Sequence, residues 1–303
     1  MVITAAELGV LMAAIATPYD ADDEVDTGAI TTLVENYVSR GVEGIYCCGS
    51  SGEGLLLSAD ERTAVVETAV AAADGRIPVV AHVGALSTRE AIDLAQRARR
   101  SGASAISMIP PIYYSYGNQA VIDHYRAVLD AVDLPLIVYN IPQFTGTEFT
   151  VDSGAELLGD PRVIGVKQTA HNMYALERMK TAFPDKAYIN GFDEVFVPAI
   201  AAGARGTIGT TVGLQIELFR AARALLDAGD LAGAQQVQAR INHVIAELVA
   251  VDVFPAAKYL SGRDAGRAGS LGDCRRPFRR LTAEDRARLD DLGRTVDEYL
   301  AEV

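Results

Sequence analysis

Between residue 10 and about residue 225, short apolar or β-branched runs alternate with longer segments of mixed polarity, and this alternation narrows the possible folds more than any other feature of the chain. The runs are "LMAAIAT" (11–17), "GIYCC" (44–48), "IPVVAHV" (77–83), "SAISMI" (104–109), "LPLIVYN" (134–140), "VIGVK" (163–167), "AYIN" (187–190) and "GTIGT" (206–210), eight in all. Near-continuous apolar strands separated by amphipathic helices predict a parallel sheet covered by helices. Eight such units within about 215 residues favour a closed (β/α)8 barrel of the TIM type, an α/β fold that typically needs roughly 250 residues. No GxGxxG follows the first run, which removes the main sign of an open, doubly wound sheet.

Two helix starts carry a mechanism. Ser58 to Glu61 ("SADE") and Ser87 to Glu90 ("STRE") fit the capping box, in which hydroxyl and carboxylate satisfy orphan backbone N–H groups. Beyond residue 225 the pattern changes. "DLAGAQQVQARINHVIAELVAVDVF" has apolar positions at helical spacing, "LSGRDAGRAGSLGDCRRPFRR" reads as a loop, and "TAEDRARLDDLGRTVDEYLAEV" as a charged closing helix. The expected division is a barrel over residues 1–225 carrying the active site and a C-terminal helical extension over 226–303.

Charge and cysteine content exclude several functions. With 40 acidic against 27 basic residues the formal net charge is -13, so no basic field exists to hold nucleic acid or an anionic membrane. The three cysteines form no CxxC pair and the four histidines no HExxH, so neither a disulfide framework nor a zinc site is indicated. The N-terminal segment lacks a positive leader and no run reaches 18 apolar residues, which reads as a cytoplasmic protein.

Barrel enzymes build their sites at the C-terminal ends of the strands. The residues closing the runs include "GSSGEG" (49–54), His82, Tyr139 with Asn140, Lys167 with Gln168 and Thr169, "NGFDE" (190–194) and "TTVG" (210–213). An amine in water titrates at about 10.4, so only about one in a few thousand is neutral at pH 7; burial disfavours the charged form, and the neutral amine can attack a ketone to form a Schiff base. A lysine after a strand is more often a solvated residue or an ion-pair partner. Here Tyr139 ends the preceding strand in the same register and could move protons, while "GSSGEG" offers consecutive N–H groups of the kind that bind a carboxylate. "GTIGTTVG" after the eighth run admits phosphate as a second reading, weakened by the lack of any cation near it except Arg205.

"GSSGEG", "VYNIP" and "GVKQT", in that order and at these spacings, closely resemble the pyruvate-dependent class I aldolases of the dihydrodipicolinate synthase and N-acetylneuraminate lyase superfamily, from about residue 10 to residue 260. "LMAAIATP", "AHVG" followed by "ST", "DHYRA", "KQT", "NGFDE" and "CRRPF" are most similar to the lyase branch. The resemblance implies Lys167 as the Schiff-base lysine, Tyr139 as proton shuttle, and Tyr113 reaching a neighbouring subunit's site in a homotetramer. It implies Ser50 and Ser51 on the pyruvoyl carboxylate, and Thr169, Gly191, Asp193, Glu194 and Thr210 along the sugar side. The substrates implied are pyruvate and a sugar or aldehyde, with no metal and no organic cofactor, because the iminium is the electron sink.

Three departures stand out. The lyases usually carry threonine at the position of Ser51 and serine at that of Thr210. "AHNMY" (170–174) differs from the lyase pattern just past the lysine. The lysine-pathway synthases carry an arginine two residues after the proline of their "YN.P" motif, and Phe144 stands there in this chain. The expected activity is cleavage of a 2-keto sugar acid, above all N-acetylneuraminate, to pyruvate and an aldose. The alternatives are a dihydrodipicolinate synthase or another aldolase or dehydratase on the same scaffold, and a keto-acid-binding protein without turnover.

Overall fold

The structure, a computed structural model, describes residues 2–266 and 271–303. Every one of the eight apolar runs contains a strand: β1 Leu11–Ala14, β2 Gly44–Cys47, β3 Val79–His82, β4 Ala105–Met108, β5 Leu136–Asn140, β6 Val163–Gln168, β7 Ala187–Asn190 and β8 Gly206–Gly209. All pair in parallel in sequence order, and β1 closes on β8 through Met12 opposite Ile208. Closure leaves no sheet edge.

Side chains alternate between two apolar layers, as the pleat requires. Met12, Tyr46, Val80, Ile137, Tyr139, Ile189 and Ile208 fill the barrel, whose N-terminal end Ile3 and Leu8 close. Leu11, Ile45, Val79, Ile106, Val138 and Tyr188 face outward under the helices. Strand β6 breaks the alternation at one point. Leu136 pairs with Val163 but Ile137 with Gly165, so Ile164 is an extra residue, a bulge. Val163 faces out, Ile164 in and Val166 out again. Without the bulge Lys167 would point at the helices; with it, Lys167 lies beside Tyr139 and faces the barrel interior.

The box at Ser58 forms in full and starts the helix Ala59–Ala73. Ser87 makes only half of its box, accepting from the Glu90 N–H, while the Glu90 carboxylate lies in the field of the buried Arg62 guanidinium. A further full box, Thr282 with Asp285, opens the closing helix Ala283–Ala301. The segment read as one helical stretch divides at Asp252 into the helices Leu231–Val251 and Val253–Asp264. The segment read as a loop over 260–280 therefore begins in helix, because Leu260 packs into the apolar seam of the extension with Leu248 and Leu292. Of that segment, residues 267–270 lie outside the described residues, and 271–280 form neither helix nor strand.

Asp264, near the end of its helix, meets Arg40 at 3.3 Å, and Arg40 also forms a two-bond pair with Glu217. Burial outweighs the attraction of Arg40 and Arg263 and pushes the Asp264 carboxyl up to about 6. The folded state therefore binds this proton more tightly than the unfolded chain, and the contribution of Asp264 to stability falls as pH rises from about 4 to about 6. The difference in unfolding free energy between the native protein and Asp264→Asn is expected to shift by on the order of 2 kcal/mol across that window, against the native protein, in denaturant titrations at each pH.

Candidate active site

A cavity of about 230 Å³ opens at the C-terminal end of the barrel, and Lys167 stands in its wall. The Lys167 side chain is buried, at 4 % exposure, yet its Nζ has no hydrogen bond or ion pair among the described residues. It lies 4.1 Å from the ring centre of Tyr139 and 4.3 Å from that of Tyr46. Two effects therefore oppose each other there. Burial makes an ammonium costly, while each ring face attracts one by about 0.5–2 kcal/mol.

The rings form a packed unit. Tyr46, Tyr139 and His82 meet pairwise with centroids 6.0 to 6.4 Å apart, the two contacts of Tyr139 being edge-on. Burial, followed by the nearby charges of Arg62 and Lys167, pushes His82 well below the ordinary imidazole range, so the ring is neutral. Burial likewise raises the Tyr46 phenol, which stays protonated and donates to Ser107 Oγ at 3.1 Å. The Tyr139 hydroxyl makes no hydrogen bond to the described residues, and the residue lines the cavity. Tyr46 was not singled out by the sequence reading. Its one signal was a tyrosine at an inward position of an apolar strand, the same pattern that marks Tyr139.

Ser50, Ser51, Thr169, Gly191, Asp193, Glu194 and Thr210 all line this cavity together with Tyr139 and Lys167. Ser51 Oγ and Thr210 Oγ1 are 2.6 Å apart, which ties the loop after β2 to the loop after β8. The exchanged residues Ser51 and Thr210 thus fall on one contact, where the methyl group stands on the opposite partner from the one expected. Thr169 Oγ1 is buried without a partner, and Gly191 is what makes room for it, since a Cβ there would lie 1.8 Å from that oxygen.

The two acids differ. Asp193 is buried and accepts from Thr207 Oγ1 at 3.1 Å, from Thr211 N at 2.9 Å and from Thr211 Oγ1 at 2.8 Å; burial raises its pKa against these donors. Its carboxylate occupies the Thr211 N–H in the loop after β8, so that donor is not free for a phosphate. The Glu194 carboxylate is half-buried and has no hydrogen bond or ion pair among the described residues.

Tyr113 is not part of this chain's cavity. It is 89 % exposed, has φ +82°, and stacks edge-on with Tyr114 at 5.0 Å. His171 lies flat against Phe192, 4.6 Å between centres, and Phe192 reaches the cavity wall. The rest of the lining is largely apolar and comes in part from the extension: Phe144 from the barrel, then Ile245, Val249, Val253 and Phe254. The break at Asp252 separates the helices that carry the last four. Lys167 is the sole cation among the lining residues. No group of His, Cys, Asp and Glu suited to a metal ion is present among the described residues, and no helix is long and apolar enough to cross a membrane.

Comparison with known proteins agrees with this geometry. The model of the dihydrodipicolinate synthetase family matches residues 7–294. The chain is 43 % identical to an N-acetylneuraminate lyase of Rhizobium meliloti over 279 residues, 92 % of both chains. It is 39 % identical to one of Lactiplantibacillus plantarum over 260 residues, 84 % of this chain and 89 % of the relative. Among solved structures it is similar to the Ruminococcus gnavus sialic acid aldolase, with TM-score 0.93, 28 % identity and coverage of 98 % and 99 %. It is also similar to CdNal of Clostridium difficile in complex with mannosamine, with TM-score 0.91, 29 % identity and coverage of 95 % and 99 %. With a closed eight-stranded barrel, a buried lysine at the end of its sixth strand and a family match over nearly its whole length, the chain belongs to the dihydrodipicolinate synthetase family.

Proposed function

We propose that the protein is a carbon–carbon lyase that cleaves N-acetylneuraminate to pyruvate and N-acetylmannosamine through a Schiff base on Lys167. The observation that carries this reading is the Lys167 Nζ, enclosed by two tyrosine rings without a carboxylate partner and facing a cavity lined with hydroxyl groups. The identity to lyases over most of the chain supports the substrate.

In this reading the neutral amine attacks the C2 ketone and the Tyr139 phenol gives its proton to the departing hydroxyl, so that water leaves and a protonated imine and a phenolate remain. The Tyr139 phenolate left by that step accepts the proton of the C4 hydroxyl, the C3–C4 bond breaks, and its electron pair passes to the iminium, which becomes an enamine as the aldose departs. The Tyr139 phenol protonates C3, and water attacks the resulting imine with return of a proton to Tyr139, which releases pyruvate and restores the amine. Ser50 and Ser51 hold the carboxylate, through hydroxyl and N–H groups. Thr169, with its unpartnered hydroxyl, Gly191, Glu194 and Thr210 face the sugar. Asp193 acts there mainly by fixing the loop after β8, since three protein donors already reach its carboxylate.

The cavity disfavours the synthase alternative. An aldehyde bearing a second carboxylate would meet Asp193 and Glu194 with no cation besides Lys167 among the described lining residues, and Phe144 presents a ring there instead of a guanidinium. Like charges held close are costly in a partly dry site. For the assembly, the exposed cluster Tyr113, Tyr114 and Tyr116 is the surface we assign to a second copy, with Tyr113 reaching that copy's site in a tetramer.

Incubation with N-acetylneuraminate is expected to release pyruvate and N-acetylmannosamine in equal amounts, and pyruvate with aspartate semialdehyde to give no product; the reverse result would assign the synthase reaction. The Ser51 and Thr210 contact yields a second test. Ser51→Thr adds a methyl group where Thr210 already places one, and Thr210→Ser leaves a gap, so each single change is expected to raise KM. The double exchange restores the fit, with a coupling energy of about 0.5–1.5 kcal/mol in a cycle of kcat/KM values.

A further inference from the structure

The loop after β2 is anchored from outside the barrel. Its "GSSGEG" turn closes on itself through Gly52 N to Gly49 O, Glu53 N to Ser50 O and Gly54 N to Gly49 O, each 3.1 Å. Gly54 admits no side chain, because a Cβ would lie 1.7 Å from Cys48 O. Next to it Glu53 has φ +55°, a left-handed conformation that costs a non-glycine residue energy and that glycine would adopt freely. What the chain gains from a glutamate there is visible in its contacts. The carboxylate runs away from the cavity into the seam with the C-terminal extension, accepting from Lys258 Nζ at 3.0 Å and from Arg275 N at 2.6 Å.

Both side chains of this ion pair are buried, at 1 % and 0 % exposure. Lys258 also donates to Asp273 O at 3.1 Å and lies 3.9 Å from the centre of the Tyr19 ring, against whose face Arg275 also packs. A buried pair of this kind contributes little net stability compared with apolar packing, so its presence calls for a role in specifying geometry. The residues whose geometry it fixes are Ser50 and Ser51, three and two positions before Glu53 and both in the cavity wall.

We infer that Lys258 and Glu53 are positioning residues for the carboxylate-binding loop, so that the C-terminal extension sets the affinity of the site for the keto acid's carboxylate. The inference rests on the reading of Ser50 and Ser51 given above. If the pair merely fastened the extension to the barrel, its loss would lower stability and leave pyruvate binding unchanged.

The test measures imine trapping by borohydride as a function of pyruvate concentration, and amide hydrogen exchange of residues 50–54, in the full-length protein. Lys258→Met is expected to raise the pyruvate concentration for half-maximal trapping about tenfold, with the plateau at Lys167 retained, and to speed exchange in the loop by about the same factor. Leu289→Ala, in the apolar seam of the extension and away from the loop, should lower the melting temperature and move neither quantity. A folded Lys258→Met protein with native half-saturation and native loop exchange would overturn the inference. Should that variant not fold, Glu53→Gln, which keeps the size and removes the charge, is read by the same two measurements with the same consequences. If the native protein forms no imine, the reading of the function fails on that result alone, and loop exchange decides the positioning role separately.

Discussion

Among the described residues the Lys167 amine meets two aromatic faces and no carboxylate, and the cavity lining holds no second cation; the chemistry of the site depends on that arrangement. A carboxylate at bonding distance would engage the amine and compete with a ketone for it. The two acids of the cavity sit together in the short 3-10 helix Asp193–Val195 after β7, where Asp193 is engaged by threonines and neither acid pairs with Lys167 among the described residues. Lys258 shows the contrary solution. It is buried as deeply, but Glu53 neutralises it, and it sits outside the cavity.

Inside the barrel, orientation is set by backbone geometry before any side chain interacts. The bulge at Ile164 turns Lys167 inward, and the pairing of Tyr139 with Lys167 places phenol and amine side by side on neighbouring strands. A net charge of -13 gives an anionic substrate no help at long range, so attraction must come from groups within the site: one cation, the hydroxyls of Ser50 and Ser51, and the N–H groups of the loop that carries them. The extension contributes on two sides, with Val253 and Phe254 in the apolar wall and Lys258 behind the loop.

Much of this was legible in the residues. Eight apolar runs located eight strands because strands buried on both faces need continuous apolar sequence, and the runs' polar ends located the cavity because parallel barrels expose those ends together. The bulge was not legible, since "VIGVK" reads as uninterrupted strand and only pairing with β5 shows the extra residue. Nor was the ion pair of Glu53 and Lys258, which joins positions 205 residues apart. Lys258 fell between the segment read as a helix and the segment read as a loop, and Glu53 looked like part of a turn. The four apolar side chains that the extension lends to the cavity were also hidden, because helical spacing shows that a face is buried and not what it covers.

The most direct test of the account is reduction with borohydride in the presence of pyruvate, followed by peptide mapping of the modified protein. The chain has four lysines, and they are well separated in environment: Lys180 is exposed, Lys186 pairs with Asp185, Lys258 pairs with Glu53, and Lys167 alone lines the cavity. The account predicts one reduced pyruvyl adduct per chain, on Lys167. An unmodified Lys167, or label spread over the exposed lysine to the same extent, would contradict it.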